Sequence, residues 1–268
     1  MERTVIEADI GIFGGSGFYS FLADVREVRV HTPYGAPSDR LALATLEGKR
    51  VAFLPRHGKD HSHPAHRVNY RANIWALREL GVKEILAPFS CGSLQRHIHP
   101  GDFVIVDQFV DRTRGREDTY FNGPETHHIG AAEPYCARLR NIAMEAAQPM
   151  EIRVHAAGTA VIIQGPRFSS RAESAWFTRE GWDVVTMSQY PEVILARELG
   201  LCYTGIALVT DYDTGIAQGQ ESVSIEEVFR VFRENVGRVQ DLIRAMVPRM
   251  GGERACECEE EARRAVVG

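Results

Sequence analysis

Long apolar runs are missing from the 268-residue chain: no stretch approaches the roughly 20 apolar residues that a bilayer span requires, and the opening Met1-Glu2-Arg3-Thr4 starts no apolar leader. A cytoplasmic location with no membrane partner is expected. Cysteine is scarce. The five cysteines, Cys91, Cys136, Cys202, Cys256 and Cys258, are odd in number and form neither a dense disulfide framework nor a paired zinc ribbon, so a reducing compartment and no metal site are expected. Basic charge is not in excess either. With 31 Lys and Arg against 36 Asp and Glu, the net charge of −5 offers no general field for nucleic acid, and an anionic ligand needs a local positive site.

What is present is an ordinary globular balance, 44% hydrophobic and 25% charged, which excludes a disordered or collagen-like chain. The length allows one sizeable core without staples. We read 1–250 as a single domain and 251–268, which begins Gly-Gly-Glu-Arg-Ala-Cys-Glu-Cys, as a charged, flexible tail.

Short apolar runs with Gly or Pro at their ends predict strands at 10–13, 51–54, 84–87, 103–106, 160–163, 184–187 and 203–209. Helical spacing places Ile74, Leu77 and Leu80 on one face before Gly81. A second helix runs from Pro191 to the stop at Gly200, and a third starts at Ser224 and carries Val228, Phe232, Val236, Val239 and Ile243. Alternating strands and helices predict an α/β fold, a mixed central sheet flanked by helices, with functional residues in loops at strand ends. The long irregular stretch 111–133 is expected to serve an active site or a subunit contact.

Five segments at strand ends carry candidate chemistry. Gly14-Gly15-Ser16-Gly17 suits an oxyanion held by backbone N–H groups and a hydroxyl, or simply a tight turn. No Gly-Lys-Ser/Thr follows it, and Ser20 stands at the last glycine position of G-x-G-x-x-G. Pro55-Arg56-His57-Gly58 places a guanidinium and an imidazole where an anion would bind; a surface ion pair is the alternative. The neighbouring His61, His63 and His66 lack the Cys or carboxylate partners of a recognisable metal site. Phe168, in Gln164-Gly165-Pro166-Arg167-Phe168-Ser169, is either a core aromatic or a platform for a flat heterocycle. Met187-Ser188-Gln189-Tyr190-Pro191-Glu192 and Thr210-Asp211-Tyr212-Asp213 each begin as a strand ends. Two aspartates so spaced, if both face a cleft, repel when ionised, and one then retains its proton; surface turn carboxylates are the alternative.

Taken in order, these segments resemble the 5'-methylthioadenosine phosphorylase branch of the trimeric purine nucleoside phosphorylases. The resemblance also rests on Val-Asn-Tyr-Arg-Ala-Asn-Ile-Trp-Ala-Leu at 68–77, Cys-Gly-Ser-Leu at 91–94 and Gly-Pro-Arg-Phe-Ser-Ser-Arg-Ala-Glu-Ser at 165–174. It implies phosphorolysis of 5'-methylthioadenosine to adenine and 5-methylthioribose 1-phosphate, with inorganic phosphate as co-substrate and no cofactor. The implied phosphate site is Ser16, Arg56, His57, the backbone around Phe89 and Ser90, and Ser188. Met187 is implied beneath the ribose, Phe168 against the purine, and Asp211 and Asp213 at the purine edge as the catalytic pair. In the 6-oxopurine branch the positions of Ser169 and Asp211 hold Glu and Asn, and a His stands where this chain has Ile225. Adenine and an apolar 5' group are therefore implied, with a 6-oxopurine or methylthioinosine phosphorylase as the alternative. A homotrimer is implied as well, with a dimer of trimers as the alternative, and with His128 or its neighbours reaching into the adjacent subunit's pocket. The chain departs from the family pattern at Phe89 and at Gln189-Tyr190. Cys256-x-Cys258 is similar to C-x-C pairs of some thermophilic members and is read here as flexible surface thiols.

Overall fold

Strands whose successive side chains are all apolar must bury both faces, because alternate residues point to opposite sides of a sheet. A computed structural model, which describes residues 7–14, 22, 24–214 and 224–267, shows that arrangement. In chain order the elements are β1 (Ile10–Gly14), β2 (Arg26–Val28), β3 (Leu41–Leu46), β4 (Lys49–Pro55), α1 (Tyr70–Glu79), β5 (Glu84–Ser93), β6 (Phe103–Ile105), β7 (Gln108–Arg112), β8 (Thr126–His127), α2 (Ala137–Ala147), β9 (Val154–His155), β10 (Thr159–Ile163), α3 (Arg171–Arg179), β11 (Val184–Thr186), α4 (Glu192–Glu198), β12 (Cys202–Tyr212), α5 (Ile225–Met246), α6 (Cys258–Arg264) and β13 (Val266–Val267). Eleven of the strands form one mixed sheet, and β8 and β13 pair separately. On β12, Tyr203, Ala207 and Val209 join the core that includes Ile74 and Leu77 of α1 and Leu195 of α4. Cys202, Ile206 and Leu208 join the opposite core, with Leu139 of α2 and Leu242 and Ile243 of α5.

The sheet forks along β5. β12 runs parallel to its whole length on one edge. On the other edge, β1 pairs with residues Glu84 to Leu86, and β11 comes in antiparallel opposite Gly92 and Ser93. Between them the β5 edge has no strand partner among the described residues, and buried backbone groups left so must find other partners. Side chains supply them: Arg56 Nη1 donates to Pro88 O at 3.1 Å and Thr186 Oγ1 to Ser90 O at 3.1 Å. The fork thus gathers the ends of β4, β5 and β11 at one place.

Local signals explain the helices that border it. Asn69 caps α1 by accepting from Ala72 N, and Gly81 ends it at φ +89°. Ser170 and Glu173 form a reciprocal capping box that starts α3 directly after Ser169.

The C-terminal segment differs from the loose tail expected from its charge. Gly251 N–H donates to Glu84, Arg254 Nη1 to Gly200 O at 2.9 Å, and β13 pairs with β8. The charge run is α6 itself, with Glu259, Glu260 and Glu261 in the first turn and Arg263 and Arg264 in the last, where the helix dipole favours each sign. Among the described residues no helix is long and apolar enough to cross a membrane.

Candidate active site

A cavity of about 430 Å³ opens at the fork, lined from β4 to α5. It brings together Arg56, His57, Phe89, Ser90, Phe168, Ser169, Met187, Ser188, Asp211 and Asp213, ten of the residues expected from the sequence. Ser16 lies outside the described residues, as does the side chain of Ile225. His128 is exposed, its N–H bonded to Ala265 O, and it does not line this cavity.

At one end the charge is positive but held. Arg56 is buried, and its Nε and Nη2 donate to the two oxygens of Glu192 at 2.5 and 3.0 Å. Tyr203 Oη donates to the same carboxylate at 2.8 Å. The fork-to-fork geometry fixes the plane of the guanidinium, and with the Pro88 bond it occupies three of the five N–H groups, leaving two for a ligand. His57 is lowered to about 4 by burial and by the Arg56 charge, so it is neutral near pH 7. Its Nδ1 lies 2.8 Å from His63 O, a carbonyl that only accepts, so Nδ1 carries the hydrogen and Nε2 keeps a lone pair. Ser188 and Ser90 stand beside them, and Ser188 N–H reaches Thr186 Oγ1 at 3.5 Å.

At the other end sit two carboxyl groups. A bulge in β12 follows Val209, so that Val209 pairs with Cys91 while Asp211 pairs with Gly92, and the extra residue, Thr210, turns the strand as it reaches the cavity. Burial raises Asp211 to about 6; the Thr210 hydroxyl opposes the rise, and the charges of Asp213 and Glu227 reinforce it. Thr210 Oγ1 lies 2.8 Å from Asp211 Oδ2 and 3.2 Å from Cys91 O. A hydroxyl has one hydrogen. If Thr210 gives it to the carbonyl, Asp211 must itself be the donor, and the neutral acid is satisfied there. Asp213 is 2% exposed, and burial raises it too, against the pull of Ser174. Asp213 and Ser169 are both buried, and the hydroxyls of Ser174 and Ser169 pull on the Asp213 carboxyl, so the three form one polar edge of the cavity.

Three contributors were not foreseen from the sequence. Glu192 stood in a quoted segment, but its pairing with Arg56 spans 136 residues and has no local signal. Val228, Phe229 and Phe232 of α5 form an apolar wall. Arg116, from the irregular stretch, donates to Tyr190 O, Gln164 O and Met187 O at 2.5, 3.0 and 3.0 Å, tying two strand-end loops together.

The description "Phosphorylase superfamily" belongs to the family model that matches residues 9–248. The chain belongs to that family. It is 51% identical over 263 residues to a purine nucleoside phosphorylase of Streptomyces coelicolor, with 94% of each chain covered. It is 49% identical over 251 residues to the S-methyl-5'-thioadenosine phosphorylase of Pyrococcus horikoshii, covering 94% of this chain and 96% of the relative. A solved structure of an adenosine/methylthioadenosine phosphorylase variant from Schistosoma mansoni in complex with adenine superposes with a TM-score of 0.90 at 39% identity, covering 97% of this chain and 99% of that one.

One glycine beside the phosphorylase cavity has a steric reason. Gly165 sits at φ +69°, and a Cβ there would lie 2.7 Å from Met187 Sδ. Gly165→Ala is expected to push Met187 into the cavity and raise the KM for nucleoside at least about threefold while leaving the KM for phosphate unchanged, with a stability loss of about 1–2 kcal/mol. Steady-state kinetics with each substrate varied separately checks it, and equal changes in both constants would refute the local account.

Proposed function

We propose that this phosphorylase cleaves 5'-methylthioadenosine with inorganic phosphate, giving adenine and 5-methylthioribose 1-phosphate. The observation that carries this reading is the carboxyl pair of half-buried Asp211 and buried Asp213 at one end of the cavity, opposite the Arg56 and His57 end. Breaking a C–N glycosidic bond builds positive charge on the ribose, and a phosphate dianion held by Arg56, Ser188, the Phe89–Ser90 backbone, Ser16 and His57, whose Nε2 must first take up a proton in order to donate, both stabilises that charge and supplies the nucleophile. Met187 would lie under the sugar, with Phe168 beside the purine. The purine departs as an anion unless N7 receives a proton, and Asp211, raised to about 6, is placed to give one. Asp213 then accepts from the 6-amino group, with Ser169 as its neighbour. A 6-carbonyl at that position would oppose acceptor to acceptor. The α5 wall of Val228, Phe229 and Phe232 suits a methylthio group and would leave a 5'-hydroxyl unsatisfied; Ile225 extends that wall in this reading.

Nothing in these steps requires a metal or an organic cofactor; phosphate is a co-substrate. We place the enzyme in the cytoplasm, as a homotrimer in which His128 reaches a neighbouring subunit's cavity. The Streptomyces coelicolor relative carries the general name purine nucleoside phosphorylase, and the second reading is a 6-oxopurine nucleoside or methylthioinosine phosphorylase. Free-base release from methylthioadenosine, adenosine, inosine and methylthioinosine, each with and without phosphate, separates the two. Phosphate-dependent adenine release from methylthioadenosine should dominate. Preference for inosine would keep phosphorolysis and overturn the roles given to Asp211 and Ser169, and release that ignores phosphate would overturn both readings.

A further inference from the structure

Four of the five cysteines, far apart in the chain, meet where the C-terminal segment reaches the body. Cys136 is the residue before α2, Cys202 opens β12, and Cys256 and Cys258 lie just before and at the start of α6. Their four sulfurs all lie within 4.8 Å of one another, and Cys202 Sγ is 3.3 Å from Cys256 Sγ. Three of the four are buried, and none lines the cavity described above. A zinc ion with bonds of about 2.3 Å to four thiolates sets its sulfurs about 3.8 Å apart in a tetrahedron. All four are mutually close, as one shared centre requires and as two separate disulfides do not.

Two guanidinium groups border the cluster. Arg254 Nη1 lies 3.9 Å from Cys202 Sγ, and the Arg138 guanidinium lies against Cys202 and Cys256. Both arginines are anchored in turn, Arg254 on Gly200 O and Glu259 and Arg138 on Glu84, as outer partners of metal ligands are. We propose that Cys136, Cys202, Cys256 and Cys258 form a closed structural site for one soft divalent cation, zinc by ligand type. Binding converts four thiols to thiolates and releases four protons per ion. The centre then carries charge −2, which Arg138 and Arg254 offset. Its effect is to clamp α6 to the starts of α2 and β12. This sets aside both the flexible surface thiols and the absence of metal expected from the sequence, where spacing alone kept the cysteines apart.

The test uses the full-length protein purified with reductant, incubated with zinc sulfate and desalted. One zinc per chain by mass spectrometry is expected, with four thiols shielded from an alkylating reagent until a chelator under denaturing conditions removes the metal, and cobalt(II) in its place should give sulfur-to-cobalt charge-transfer absorption. Cys256→Ser/Cys258→Ser should lose the zinc and lower Tm by about 5 °C or more relative to the zinc-loaded chain, with kcat/KM for nucleoside unchanged. Zinc no higher than in the double variant, with all thiols reactive, would overturn the proposal. So would an intact mass short by four hydrogens, the mark of two disulfides. If the double variant does not fold, stoichiometry and the cobalt spectrum of the wild-type chain decide.

Discussion

Asp211→Asn should lower kcat/KM for methylthioadenosine by roughly 10²-fold or more, the usual scale of a lost general acid, and turn preference toward 6-oxo nucleosides. The amide cannot deliver a proton to N7, but it can donate to a carbonyl. The same residue sets a pH dependence. Asp211 acts protonated and titrates at about 6 in the free chain, so kcat/KM for nucleoside at saturating phosphate should fall as pH rises through about 6. In the Asn variant that descending limb should vanish. Stability moves the same way with pH: a carboxyl raised above its unfolded value favours the fold below the unfolded value and loses that advantage as pH rises through 6. At pH 7 to 8 the variant should therefore melt higher than the parent. Unchanged selectivity together with an unchanged descending limb would remove Asp211 from the chemistry.

The second large effect concerns Glu192. Glu192→Gln leaves a buried guanidinium without its counter-charge, and breaking such a pair costs about 3–5 kcal/mol, which for a chain of this length is a drop in Tm of roughly 6–15 °C. The phosphate KM should rise with it, because the orientation of Arg56 depends on both carboxylate oxygens. The nucleoside KM should change far less. A Tm within 2 °C of the parent by calorimetry would mean that the pair contributes almost nothing, as for exposed ion pairs at about 0–1 kcal/mol.

Strands with two buried faces were legible because they read as uninterrupted apolar runs, and the cavity-lining segments were legible because each follows such a run. β3 escaped: its Leu-Ala-Leu-Ala-Thr-Leu is too rich in alanine to announce a strand. α2 escaped for a related reason. Its buried face includes Ala143, Ala146 and Ala147, which weaken the periodicity, and Cys136 gives no side-chain cap. The fork in β5 and the bulge at Thr210 depend on pairing between distant strands, which no local spacing encodes. Arg116 had no signal at all, since its partners are backbone carbonyls that any sequence possesses. The acidic and basic residues at the C-terminus were visible but misread; seen as one short helix, Glu259 and Glu260 pair with Arg263 and Arg264 one turn on.

The separation of 136 positions between Arg56 and Glu192 also bears on how the chain folds. Contacts of such sequence separation close late, after much loop entropy has been lost. A phosphate-binding end assembled from both sides of that interval exists only once the two have docked. Phosphate should thus act as a brake on unfolding and not as an accelerator of folding: at a hundred times its Kd it adds about 2.7 kcal/mol to the native state, and that gain falls on the rate at which the finished structure comes apart.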